Sequence, residues 1–125
     1  MADSIKITNV GIGLLTGLLT NSTIKYVGMG EGTTSPTDTD TTIESAVESR
    51  VGTNSGTQQQ TDIANDTYQV IQKIVATASR AITEVGLFSA STSGSMLIRA
   101  TFSPIALNTG DSIQFTLKIK FTKST

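Results

Sequence analysis

The chain contains no cysteine and no histidine. The first absence excludes disulfides, zinc–thiolate sites and thiol nucleophiles. The second removes the Ser-His-Asp triad, the Cys-His pair and every histidine-ligated metal site. Tryptophan is also missing, and aromatics amount to four Phe and two Tyr, so the flat platforms on which sugars stack are scarce. Charge is sparse at 15% of residues and nearly balanced, at −1. Lys and Arg are scattered and form no basic stripe able to release phosphate counterions, so direct nucleic-acid binding is not expected. Long hydrophobic runs are absent as well. The apolar stretch Val10 to Leu19 is about half the length of a membrane span. It lacks the charged lead and the cleavage site of a signal peptide. These features point to a soluble chain made in a cytoplasm, without membrane contact.

Thr and Ser together exceed a quarter of the 125 residues, and the hydrophobic fraction is 37%. Disorder couples low hydrophobicity to high net charge, which this chain does not have. β-Branched Thr suits a half-buried pleated surface, so the composition reads as sheet and turns. The length fits one domain, 1–125, with residues 1–22 as an arm or short helix. A core this small points to oligomerisation as a source of stability, with a homotrimer expected.

The clearest periodicity is at the C-terminus. Ile113, Phe115, Leu117, Ile119 and Phe121 alternate with Gln114, Thr116, Lys118, Lys120 and Thr122, a strand with one face on a core and one in water. The preceding turn, Leu107 to Asp111, offers Gly110 for positive φ. Ser95 to Phe102 alternates in the same way, with Met96, Ile98, Ala100 and Phe102 on one face. Pro104 is expected to end that strand, since it cannot donate to a ladder. Ala81 to Phe88 and Tyr68 to Thr77 read as strands apolar on both faces, which implies burial on two sides or a subunit contact. Thr23 to Met29 is a further strand.

The connections carry weaker signals. Val10 to Leu19 reads as a short helix capped by Asn9, with Leu14, Leu15, Leu18 and Leu19 on one side, although Gly11, Gly13 and Gly17 each weaken it by about 1 kcal/mol. Thr41-Thr42-Ile43-Glu44 resembles a capping box and predicts one or two helical turns over Thr42 to Glu48. Val51 to Asn65 reads as a polar loop or an edge hairpin. Short strands with regular turn signals and no alternating helices predict an all-β, single-domain antiparallel β-sandwich, jelly-roll-like.

Few residues remain that could carry chemistry. Glu31, Asp38, Asp40, Glu44 and Glu48 cluster in sequence, but carboxylate-pair hydrolysis also needs an aromatic-lined cleft. Asp38 and Asp40 are weak candidates for a cation, because the run does not meet the EF-hand spacing. Gly28-Met29-Gly30-Glu31-Gly32 matches neither the dinucleotide nor the phosphate-loop pattern, and its glycines are read as permitting a bulge or close backbone packing. Glu84 stands out as a carboxylate in an otherwise apolar strand, where it must be paired, hydrogen-bonded or exposed at an edge. Arg50, Arg80 and Arg99 are its candidate partners, within the fold or across a subunit boundary. No catalytic residue and no cofactor are expected.

Several of these segments resemble tailed-phage virion proteins. They are Thr83 to Phe88, Leu97-Ile98-Arg99-Ala100, Phe102 to Ile105, Tyr26 to Thr34, Asp66 to Val70 and Gly110 to Phe115. Their order is similar to that of small phage particle proteins encoded as stand-alone units and, more distantly, of tail-collar fibre N-terminal domains. The resemblance implies a non-enzymatic virion component assembled in the host cytoplasm. The leading expectation is a capsid decoration, or cement, protein that bridges copies of a major capsid protein. The alternatives are a tail, collar, baseplate or fibre-adaptor protein, and a carbohydrate-binding attachment module.

Overall fold

The computed structural model describes residues 4–123. One helix, α1 (Asn9–Thr20), precedes seven strands: β1 (Tyr26–Gly30), β2 (Ala46–Val51), β3 (Thr57–Gln59), β4 (Thr67–Val75), β5 (Arg80–Phe88), β6 (Met96–Leu107) and β7 (Ser112–Lys120). They form two antiparallel sheets, ordered β2-β1-β5-β6 and β3-β4-β7, so the predicted all-β sandwich is the observed architecture. Val27, Met29, Val85 and Leu87 from the first sheet meet Tyr68, Val70, Ile74 and Phe115 from the second in one buried cluster. β7 keeps its alternation, with Phe115 buried and Gln114, Thr116, Lys118 and Lys120 exposed. Gly110 takes the expected positive φ, at 91°.

Polar groups also join the layers. Gln72, fully buried in β4, donates to the carbonyls of Lys25 and Asn54 at 3.0 and 2.7 Å. Its carbonyl oxygen accepts from the Asn54 amide. The Tyr68 hydroxyl donates to Ile24 O at 2.6 Å. Asp66, nearly inaccessible, accepts from the amides of Thr61, Asp62 and Ile63 and from the Thr67 hydroxyl. Burial opposes its charge, but these donors outweigh burial and hold the carboxyl well below its ordinary range.

Five local expectations need correction. The helix is capped by Thr8, whose Oγ1 accepts from Gly11 N at 2.9 Å, and not by Asn9. Of its four leucines only Leu19 packs on the core; Ile12 and Thr16 face the body, while Leu14, Leu15 and Leu18 are exposed. No helical turn forms over Thr42 to Glu48. Glu44 instead accepts from Thr33 N and Thr34 N, and residues from Ala46 onward pair with β1. β4 is fully buried along one face, at Tyr68, Val70, Gln72 and Ile74, while its other face is buried only at Thr67 and opens through half-buried Gln69 and Ile71 to exposed Lys73 and Val75. Finally, β6 runs past Pro104 to Leu107. It is the sheet's outer strand, and three of its residues, Phe102 to Pro104, bulge opposite Thr83. A proline is tolerated there because no neighbouring strand needs its missing N–H.

Candidate functional site

β5, unlike β4, is buried on both faces from Ile82 to Phe88. Val85 and Leu87 belong to the core, so Glu84, Gly86 and Phe88 point to the opposite face. That face is covered by the 31–45 connection between β1 and β2. Ile43, 5% exposed, packs over it, within 2.9 Å of a Cβ built on Gly86. A connection of 15 residues without regular structure needs its own anchors, because its backbone groups lack a ladder.

Glu84 supplies them. Its Oε1 accepts from Glu44 N at 2.8 Å and from Arg99 Nε at 3.0 Å. Its Oε2 accepts from Gly32 N at 2.6 Å and from Ser45 N at 2.8 Å. One carboxylate therefore ties both ends of the loop to the middle of the sheet. Room for it comes from the glycines: a Cβ on Gly30 would lie 2.6 Å from Glu84 Oε2, and one on Gly32 would lie closer still. Gly28 sits where β2 bulges away, between the pairs Val27–Val51 and Met29–Val47, and Glu48 there takes φ 64°. The glycine run thus serves a bulge and a close approach, as its sequence suggested.

Arg99 completes the clasp. Registration puts Gly86 opposite Arg99 and Glu84 opposite Thr101, so Glu84 and Arg99 are diagonal neighbours on one face. The Arg99 side chain is 3% exposed and that of Glu84 0%. The guanidinium also donates to Asp40 Oδ2 at 3.1 Å and to Thr34 O at 3.0 Å, spreading its donors over three acceptors. Burial disfavours charge on both groups, but the amides of Glu44, Ser45 and Gly32 together with Arg99 keep the Glu84 carboxyl below its usual range. Glu84 and Asp40 in turn hold Arg99 above its usual value, against the effect of burial. Glu84 thus accepts four hydrogen bonds and Arg99 donates to three residues, all of them within the clasp.

The other two arginines do related work. Arg50, placed by β2, lies with its guanidinium carbon 3.4 Å from the centre of the Phe88 ring. It donates to Ala90 O and Ser93 O and so holds the 89–95 hairpin loop. Arg80 pairs with Glu48 at 3.1 Å, and Glu48 accepts from Thr77 N. Of the three candidate partners, then, the structure brings only Arg99 to Glu84. Asp40 is engaged by Thr37 N and by Arg99, while Asp38 is exposed. No group of three or more potential metal ligands occurs among the described residues.

Sequence reasoning missed Asp66 and Gln72, which resemble any acid before a strand and any polar residue within one. It also missed the shared role of the glutamates. Glu31, Glu44, Glu48 and Glu84 each accept at least one backbone N–H, so these acids anchor loops.

A search of curated proteins finds no match. Residues 15–119 match the family described as podophage GP4 fiber I protein gp80, a span from within α1 to the penultimate residue of β7. Because this match covers most of its length, the chain belongs to the podophage GP4 fiber I protein gp80 family, and is a tailed-phage virion structural protein.

Proposed function

We propose that the chain is a repeated building block of a phage fibre or of its attachment to the tail, and not a cement protein of the head. The family match over residues 15–119 carries this reading. The geometry agrees with it in kind. Loops 31–45 and 89–95 are fixed by Glu84, Arg99 and Arg50 against the same outer face of the first sheet. Fixed loops on a sheet form a surface of constant shape, as a subunit repeated along an assembly requires.

The test is a phage lacking the gene, imaged by electron microscopy and heated alongside the parent. Normal heads that retain DNA to the parental temperature, with fibres missing and adsorption reduced, are expected. Intact fibres on heads that release DNA at lower temperature would overturn the proposal in favour of head decoration. Gold-labelled antibody against the chain, bound at the tail and not over the head lattice, gives an independent check.

A further inference from the structure

Among the described residues, six of the nine exposed large hydrophobics lie within one N-terminal segment: Ile5, Ile7, Val10, Leu14, Leu15 and Leu18. Val10, Leu14 and Leu18 are 74%, 66% and 68% exposed. Four-residue spacing stacks them into one ridge along α1, roughly 12 Å long at the helical rise. Beside the ridge runs a groove of about 620 Å³, floored by Gly13 and Gly17 and walled opposite by Ile63 and Ala64. Gly13 and Gly17 also lie against the body of the protein, near Asn65 and Gln58. With no Cβ at either position, the groove stays deep.

We infer that α1 is an interface between copies of this chain, the Val10–Leu14–Leu18 ridge of one copy seating in the glycine-floored groove of the next. Three observations select a second copy as the occupant. Ridge and groove run side by side on one helix and share its length, so two copies are complementary without any third surface; ridges seat in grooves of this kind at helix–helix contacts. The helix carries no charged residue from Asn9 to Thr20. Along the ridge itself a second copy therefore brings no like charge to repel, and the nearest ions, Lys123 on Asn9 and the Lys120–Asp62 pair, stand at the rim of the groove and not between ridge and groove floor. The ridge side chains Val10, Leu14 and Leu18 expose on the order of 200 Å² of apolar surface, each fully exposed one counting roughly 100 Å². That is the apolar centre of an interface of about 800 Å² per partner, and Asn9, Asn21, Gln58 and Asn65 supply its polar rim. The inference adds a contact surface to the proposed repeated assembly, but it is measured on the isolated chain.

Sedimentation of the purified full-length chain between 1 and 100 µM tests it, with the double substitutions Leu14→Asp/Leu18→Asp and Leu14→Ala/Leu18→Ala. Both positions are exposed, and the alanine pair preserves helix propensity. The parent is expected to sediment as a closed oligomer. Both variants, with far-UV circular dichroism unchanged, are expected to associate at least about 100-fold more weakly. A parent that is monomeric at 100 µM, or an oligomer that survives both double substitutions, overturns the inference. Neither result touches the fibre assignment, which is decided on particles by microscopy.

Discussion

Replacing Glu84 by Ala removes the acceptor of four hydrogen bonds at once: those from Gly32 N, Glu44 N, Ser45 N and Arg99 Nε. The Arg99 side chain, 3% exposed, keeps Asp40 and the Thr34 carbonyl but loses its buried counter-ion. Stranding one member of a buried ion pair costs about 3–5 kcal/mol. For a domain of this length each kcal/mol moves the melting temperature by roughly 3–5 °C, so a fall of about 10–20 °C is expected. Arg99→Ala strands Glu84 with three amide donors still in place, a smaller loss. The double substitution is expected to cost less than the two singles added, by about 1–3 kcal/mol, because the pair is in direct contact. Thermal unfolding followed by circular dichroism gives these values. Hydrogen exchange locates them, with the Gly32, Glu44 and Ser45 amides losing protection in Glu84→Ala while those of β4 and β7 keep theirs. A melting temperature within 2 °C of the parent, or unchanged exchange at those three amides, would refute the idea that this carboxylate holds the 31–45 loop.

Four further outcomes are expected. Gly30→Ala places a methyl 2.6 Å from both Glu84 Oε2 and Ser45 O and is expected to destabilise by about 1–3 kcal/mol in urea titration. Gly17→Ala meets only Gln58 Nε2, at 3.4 Å, and should raise monomer stability by up to about 1 kcal/mol through helix propensity; a loss would contradict that account. Gln72→Leu leaves the Lys25 and Asn54 carbonyls without their donor and should lower stability by about 1–3 kcal/mol in the same titration. Stability should also depend on pH with a definite sign. The carboxyls of Asp40, Glu44, Glu48, Asp66 and Glu84 are all held below their ordinary values of 3.8 and 4.5. Their contribution is therefore complete above those values and is lost as pH falls through the lower folded-state ones. With no histidine in the chain, chemical denaturation between pH 5.5 and 7.5 should give one constant stability, and a step in that window would count against the scheme.

The parts of this fold that the sequence made legible are those governed by local period. β7 alternates strictly, and an alternation of ten residues admits few other readings; β6 does not, because a bulge between Met96 and Ile98 turns Met96 to the outer face beside Gly86 and Phe88. Glu84 was legible because charge in an apolar strand demands an explanation. Its partner was not, since the choice among three arginines is made by the register of β5 against β6, which depends on the whole sheet. Glu44 misled for a related reason. Its spacing from Thr41 fits a local cap, but the donors it satisfies, Thr33 and Thr34, are brought to it by a loop that only the folded sheet defines. Pro104 misled because the rule that excludes it from a strand applies to inner strands, and edge position is a property of topology.

The open edges of the two sheets bear on how such a chain survives being made in quantity. β6 and β7 are each the last strand of their sheet, and an unpaired strand edge is a template for unintended pairing and aggregation. On β6 the Phe102–Pro104 bulge and the absent proline donor break the row of groups that a stray strand would need. On β7 the exposed Lys118 and Lys120 would have to approach the matching lysines of another copy, a cost that rises as copies crowd together. Pairing between copies through these two edges is therefore disfavoured, however high the concentration of the chain.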